Sequence, residues 1–417
     1  MVVEKLGYAG IKRAYDDNHQ VVSVSYVDAM GRSIANADGS YATQTEYDEK
    51  GNKSIERFVD TQGNLVVARD KGCAIIKYAY NEQKKETDQW YFDAEEKKTE
   101  VKGVHHIKKD YDEAGNLVST RKYTKKDKII TETQGYAYVK SEYNRLNQPE
   151  KETFCDAKGE PVEVGGYVYT TKKYDSNGNV TLQAFYDTDG DKVTFEDGHS
   201  MIKKRYDENK KPIQTSYLDA SEQPVTITAG YATVMDKYDE NGNVILESYY
   251  DIDGEPVSNT QGFSSVKKEY NGDNKVIKTS YQDTEGNLTV TQAGYASVIN
   301  KYDAQGNVKY EAYEDEDGGR IMLDAGYAVI KKKYNENNQL IRQTYYDLAD
   351  KPVLSKAGYC IQTTKYDKNG MMLSQTFLDT KGNPVNNTSG FATIKYKTTA
   401  DGTTTQEHYD EKGNKVD

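Results

Sequence analysis

The chain has 417 residues, 37 of them Tyr and one Trp, with 35% hydrophobic content, 29% charged residues and a formal net charge of −12. Acidic and basic residues are interspersed, as in Lys203-Lys204-Arg205 against Asp207-Glu208, which argues against a nucleic-acid surface with its segregated basic face. No apolar run approaches the roughly 18–20 residues of a helical membrane span, and the three Cys share no spacing, so neither a disulfide framework nor a zinc site is expected.

At the N-terminus, Met1-Val2-Val3-Glu4-Lys5-Leu6-Gly7 lacks the basic and apolar regions of a signal peptide. It aligns instead with Pro352-Val353-Leu354-Ser355-Lys356-Ala357-Gly358. From there a Gly recurs at Gly7, Gly39, Gly72, Gly103, Gly135, Gly166, Gly198, Gly230, Gly262, Gly294, Gly326, Gly358 and Gly390. From Gly166 each step is 32 residues, and earlier steps are 31 to 33. Such a period marks an array in which each repeat packs mainly on its neighbours. One continuous array is expected over residues 1–417, whatever domain count length would give. Both ends fall at nearly the same phase of the repeat, so the chain reads as a piece of a longer protein.

The repeat from Gly230 shows the organisation. Two turn signals stand in it, Tyr238-Asp239-Glu240-Asn241-Gly242-Asn243 and Tyr250-Asp251-Ile252-Asp253-Gly254-Glu255-Pro256. Asp or Asn opening a turn bonds its own backbone, and Gly or Asn accepts positive φ. Asn-Gly between aromatic and β-branched runs is a hairpin cue. Strand A is predicted over about Ala232 to Tyr238 and strand B over about Val244 to Tyr250, with a third extended piece near Val257. Ala232, Val234, Asp236 and Tyr238 alternate with Thr233, Met235 and Lys237, the pattern of a half-buried strand. The fold class predicted is all-β: a tandem array of β-hairpins in an elongated, twisted or superhelical sheet or solenoid.

Two aromatic columns accompany the period. The first is Tyr15, Tyr47, Tyr80, Tyr111, Tyr143, Tyr174, Tyr206, Tyr238, Tyr270, Tyr302, Tyr334 and Tyr366, broken at Thr398. The second is Tyr26, Phe58, Tyr91, Phe154, Phe185, Tyr217, Tyr249, Tyr281, Tyr313, Tyr345, Phe377 and Tyr409, broken at Lys122. Stacked repeats place such rings in ladders, with phenol oxygens free to reach water or backbone at the sheet margin.

Exposed Tyr is the main candidate for binding, because aromatic faces stack on sugars and quaternary ammonium groups and repeated weak sites give avidity. The candidates are Tyr186, Tyr250 and Tyr346, beside the strand-B aromatics, and Tyr231, Tyr295 and Tyr327, which follow the repeat Gly. The Asp-x-Asp turns at Asp187 and Asp189, Asp251 and Asp253, and Asp315 and Asp317 are the one candidate for calcium, since alternating carboxylates supply oxygen ligands. Turn chemistry alone also accounts for them. His105-His106 point to opposite faces of a strand, and no nucleophile–base arrangement recurs. No enzyme activity and no cofactor are expected.

At Tyr238-Asp239-Glu240-Asn241-Gly242-Asn243 and its equivalents the chain resembles the YD (Rhs-type) repeats of large bacterial surface and toxin proteins. Tyr249-Tyr250-Asp251-Ile252-Asp253-Gly254 is also similar to the hairpin turns of choline- and glucan-binding cell-wall repeats. The resemblance implies β-sheet, a bacterial source and an extracellular or cell-surface setting. Three roles are weighed: a non-enzymatic surface stalk or adhesive scaffold, a module binding cell-wall or host glycans or surface proteins through exposed Tyr, and a shell segment of a YD/Rhs-type toxin.

Overall fold

The computed structural model describes residues 7–398 and 404–416. Among them every helix or strand assigned is a β-strand, from β1 (Gly10–Tyr15) to β27 (Lys415–Val416). They belong to two compact units, Met1–Phe195 and Glu196–Asp417. Met1–Leu6 and the side chain of Thr398 lie outside the described residues.

Each repeat contributes one antiparallel hairpin. In the repeat from Gly230, strand A is β15 (Thr233–Tyr238) and strand B is β16 (Val244–Tyr250). The turn between them is an Asx turn. Asp239 Oδ1 accepts Asn243 N–H at 2.8 Å, and Asp239 N–H donates to Asn243 O at 3.0 Å. Gly242 lies at φ +86°, a left-handed conformation that costs an L-residue about 1–2 kcal/mol. Lys210, Asn274 and Asn338 hold the same place in their turns at φ of about +60°.

Beyond the turn the pairing runs Lys237↔Leu246 and then Tyr238↔Val244, so Ile245 is bulged out. The bulge recurs through the hairpins, but it is absent from the last one, where Lys397↔Thr405 is followed directly by Thr398↔Thr404. After strand B, Asp251 opens a second turn, and Tyr250 bridges Pro256. Pro256 sits where no inward N–H is needed. This is the third extended piece expected near Val257, whose N–H donates to Tyr249 O at 3.1 Å.

Adjacent hairpins are joined by a three-residue ladder. Between β16 and β17 (Ser265–Tyr270) it pairs Leu246↔Lys267, Glu247↔Val266 and Ser248↔Ser265. Tyr249 N–H then donates to Ser264 O at 2.9 Å. A turn-to-turn bond, Thr260 N–H to Ala229 O at 2.9 Å, adds a further contact. In five hairpins of the second unit the residue before strand A is small and fully buried: Ala232, Ala296, Ala328, Cys360 and Ala392 all show 0% exposure. In the first unit, β1 to β8 (Leu117–Tyr123) form one sheet in sequence order. Pairing resumes from β9 (Tyr138–Tyr143) through β12 (Val180–Tyr186). In the second unit the strands pair consecutively from β13 (Met201–Tyr206) to β27.

Candidate functional site

The rings that follow the repeat Gly interleave with the strand-B aromatics in a zigzag on one sheet face. In the second unit it runs His199, Tyr217, Tyr231, Tyr249, Phe263, Tyr281, Tyr295, Tyr313, Tyr327, Tyr345, Tyr359, Phe377, Phe391 and His408. Centroid separations lie between 4.4 and 6.2 Å. A shorter run in the first unit joins Tyr136, Phe154, Tyr167, Phe185 and Phe195. Tyr249, Phe263, Tyr313, Tyr345 and Phe377 are buried, and the remaining Tyr of the zigzag are half-buried. Each offset pair adds about 0.5–1.5 kcal/mol beyond the apolar area it buries.

The first Tyr column does something else. Its hydroxyls cross to the preceding hairpin and donate to the carbonyl at the start of its strand B. Tyr238 binds Pro212 O at 2.8 Å, Tyr270 Val244 O at 2.8 Å, Tyr302 Val276 O at 2.7 Å, Tyr334 Val308 O at 3.0 Å and Tyr366 Leu340 O at 3.1 Å. Tyr47, Tyr111, Tyr143 and Tyr174 repeat the contact in the first unit. The expected stack of this column is therefore corrected: these are hydrogen-bond tethers, and its rings form no recorded ladder with one another. The partners of the strand-B rings are the post-glycine residues. The second column is corrected at its end as well. With no bulge in the last hairpin, His408 stacks on Phe391 at 4.4 Å, and Tyr409 shifts into the neighbouring column opposite Thr393.

The six candidate ligand Tyr fall in two places. Tyr231, Tyr295 and Tyr327 are zigzag members with rings packed on both sides. Tyr186, Tyr250 and Tyr346 lie on the opposite face of their hairpins and are half-buried, like the other three. Tyr186 stacks on Tyr169 at 4.7 Å, and the Lys331 ammonium stands 4.2 Å over the Tyr346 ring. Tyr250 borders an open groove of about 570 Å³ with Ile213, Met235 and Leu246.

The Asp turns use their first carboxylate internally. Asp187 Oδ1 accepts the N–H groups of Asp189 and Asp191, Asp251 Oδ1 those of Asp253 and Glu255, and Asp315 Oδ1 those of Asp317 and Gly319, all at 2.7–3.1 Å. Asp251 and Asp253 also share a groove with Lys203 and Arg205, cations that compete with a metal for the same charge. No group of three or more His, Cys, Asp or Glu is arranged for a metal among the described residues.

A polar row runs beside the zigzag. Tyr249 donates to Glu247, Tyr313 donates to Glu311, and Lys332 pairs with Glu311 at 3.2 Å. Asp236 faces Glu247 across its hairpin, and Asp236 Oδ1 is buried with no hydrogen-bond partner among the described residues. Burial, and then Glu247, raise the Asp236 carboxyl above the usual range. His105 occupies the small-residue column at 1% exposure. Its Nδ1 lies 2.9 Å from Tyr91 O and 3.1 Å from Thr99 O. His106, on the other face, is sandwiched by Trp90 and Tyr123 and reaches Asp88 at 2.8 Å. Cys73, Cys155 and Cys360 are free and buried, and burial pushes the Cys73 thiol up to about 12.

Sequence reasoning passed over the post-glycine aromatics as packing residues. Phe263 and Phe391 replace Tyr there, so the position calls for an aromatic ring and not for a hydroxyl.

No family matches the chain, and neither does any curated protein. Among solved structures, the crystal structure of TcdB2-TccC3-TEV is similar at 14% identity and a TM-score of 0.35, over 99% of this chain and 21% of that one. TcdB2-TccC3-Cdc42 is similar at 12% identity and 0.37, over the same shares. The Photorhabdus luminescens Tc holotoxin pore is similar at 12% identity and 0.26, over 94% of this chain and 18% of that one. The chain thus spans about a fifth of the length of the matched chains, and the likeness is too distant to carry either fold or function.

Proposed function

We propose that the chain is a non-enzymatic wall segment, a sheet of hairpins that serves as the shell or scaffold of a larger bacterial protein in an extracellular setting. The observation that supports this reading is what the periodic side chains do. The zigzag rings and the first-column hydroxyls both run from hairpin to hairpin, so the residues that recur most regularly extend the sheet. A binding array would instead hold its most regular side chains open to a ligand. The YD-like sequence pattern points the same way, and the partners of such a wall are other segments of its own protein assembly.

Small-angle scattering with negative-stain microscopy of the purified chain tests it. A wall predicts a curved sheet partly enclosing a volume. A straight rod would favour the stalk. Glycan binding is kept as a second reading because Tyr250, half-buried on the face opposite the zigzag, borders an open groove. Saturable co-sedimentation with bacterial cell walls, lost on changing Tyr186, Tyr250 and Tyr346 to Ala, would establish it.

A further inference from the structure

We propose that the junction between β8 and β9 is a built-in joint, the line along which the array opens. The inference rests on the wall reading for its purpose, but its evidence is local to the first unit.

Every other junction described within that unit is laddered. Between β6 (Glu86–Phe92) and β7 (His106–Tyr111), Asp88 pairs with Lys108, Gln89 with Ile107 and Trp90 with His106, and Tyr91 N–H donates to His105 O at 3.0 Å. Between β10 (Pro149–Cys155) and β11 (Tyr169–Tyr174), three pairs recur, and Phe154 N–H donates to Val168 O at 3.0 Å. Between β8 and β9 no pair is found among the described residues, and the two strands belong to different sheets. Lys122 stands where Tyr91 and Phe154 stand, and its N–H has no recorded acceptor among the described residues.

The ring zigzag stops at the same place. Tyr167 touches both Phe154 and Phe185, at 5.4 and 5.1 Å. Tyr136 has one ring contact among the described residues, with Phe154 at 5.0 Å, and the preceding strand-B position holds Lys122 in place of a ring, its ammonium paired with Glu132 at 3.1 Å. Arg121 lies over Tyr138 at 5.5 Å, where the next junction sets Thr153 against Tyr169.

The remaining recorded hydrogen bonds lie at the opposite, turn end of the strands. Tyr143 donates to Leu117 O at 2.7 Å, and Asn116 Nδ2 donates to Asn147 Oδ1 at 3.0 Å. The junction is pinned at one end and unzipped at the other, which is the geometry of a hinge.

Hydrogen exchange read by mass spectrometry on the intact chain tests it. The absence of about three ladder bonds predicts that the outer-edge amides of β8, Lys122 among them, exchange about 100-fold faster than those between β6 and β7. Lys122→Tyr returns a ring to the zigzag and should slow that exchange. Tyr143→Phe should speed it further, while Tyr174→Phe, at a laddered junction, should leave its own amides protected. Uniform protection across the first unit overturns the joint, as does unchanged exchange in a folded Lys122→Tyr chain. Neither result bears on the wall reading, which fails on solution shape.

Discussion

The same substitution, Tyr to Phe, is predicted to have opposite outcomes at two positions of one hairpin. Tyr334 ends β21 (Val329–Tyr334) and donates its hydroxyl to Val308 O of the preceding hairpin at 3.0 Å. Tyr327 lies seven residues earlier, where its ring packs on Tyr313 and Tyr345 at 6.2 and 4.5 Å. Its hydroxyl has no recorded hydrogen bond among the described residues. Tyr334→Phe removes one net hydrogen bond, a loss of about 1 kcal/mol. In a unit of this size that lowers Tm by about 2–4 °C. Tyr327→Phe keeps the ring and is predicted to shift Tm by less than about 1 °C. The tethers recur one per hairpin from Tyr238 to Tyr366, far enough apart to add. Changing Tyr238, Tyr270, Tyr302, Tyr334 and Tyr366 together therefore lowers stability by about 5 kcal/mol. Thermal and urea unfolding followed by far-ultraviolet circular dichroism measure both. Equal costs at Tyr327 and Tyr334, or a five-fold variant that unfolds with the parent, would refute the division of labour between the columns.

Burial raises the phenols of Tyr231 and Tyr281 to about 12, with Tyr217 and Tyr295 as the next causes. A folded value above the unfolded value of about 10 means stability is complete below pH 10 and lost as pH rises toward 12. Phenolate absorbance of these rings should therefore appear together with loss of the β-sheet signal. Asp236 has a raised carboxyl, first through burial and then through Glu247, so its charged form costs stability as pH rises above about 4. Asp236→Asn is expected to gain about 0.5–2 kcal/mol in urea unfolding at neutral pH, with the gain vanishing below about pH 4. Gly254→Ala meets no atom within 4 Å and incurs only its φ of +86°, about 1 kcal/mol. Gly230→Ala should cost more, since its Cβ would also press on Thr260 N at 3.1 Å. Comparing the urea midpoints of the two variants checks this.

Period, hairpins and turn chemistry were legible because each is local. Asp239, Gly242 and Asn243 determine their turn within five residues, and strand B is read to its exact ends. The start of strand A differs by one residue because Ala232 belongs to the buried crossing that precedes the strand. The role of the rings was not legible, because it depends on which residues of successive hairpins meet. Tyr238 and Tyr249 recur with equal regularity, yet one reaches its neighbouring hairpin through its hydroxyl and the other through its face. Substitution chemistry separates them: Phe is tolerated at Phe154, Phe185 and Phe377, and in no described member of the first column. The shift from Tyr409 to His408 follows from the loss of one bulge, a backbone event that no side chain announces. Tyr186, Tyr250 and Tyr346 were legible as neighbours of the packed column, and the structure leaves them half-buried on the face opposite it.

Tyrosine nitration mapped by mass spectrometry tests the central claim most directly. If the repeating rings join hairpin to hairpin, Tyr249, Tyr313 and Tyr345 in the folded chain resist modification while Tyr15, at 57% exposure, reacts readily. Nitration of those zigzag rings at the rate of Tyr15, with the β-sheet signal intact, would contradict it.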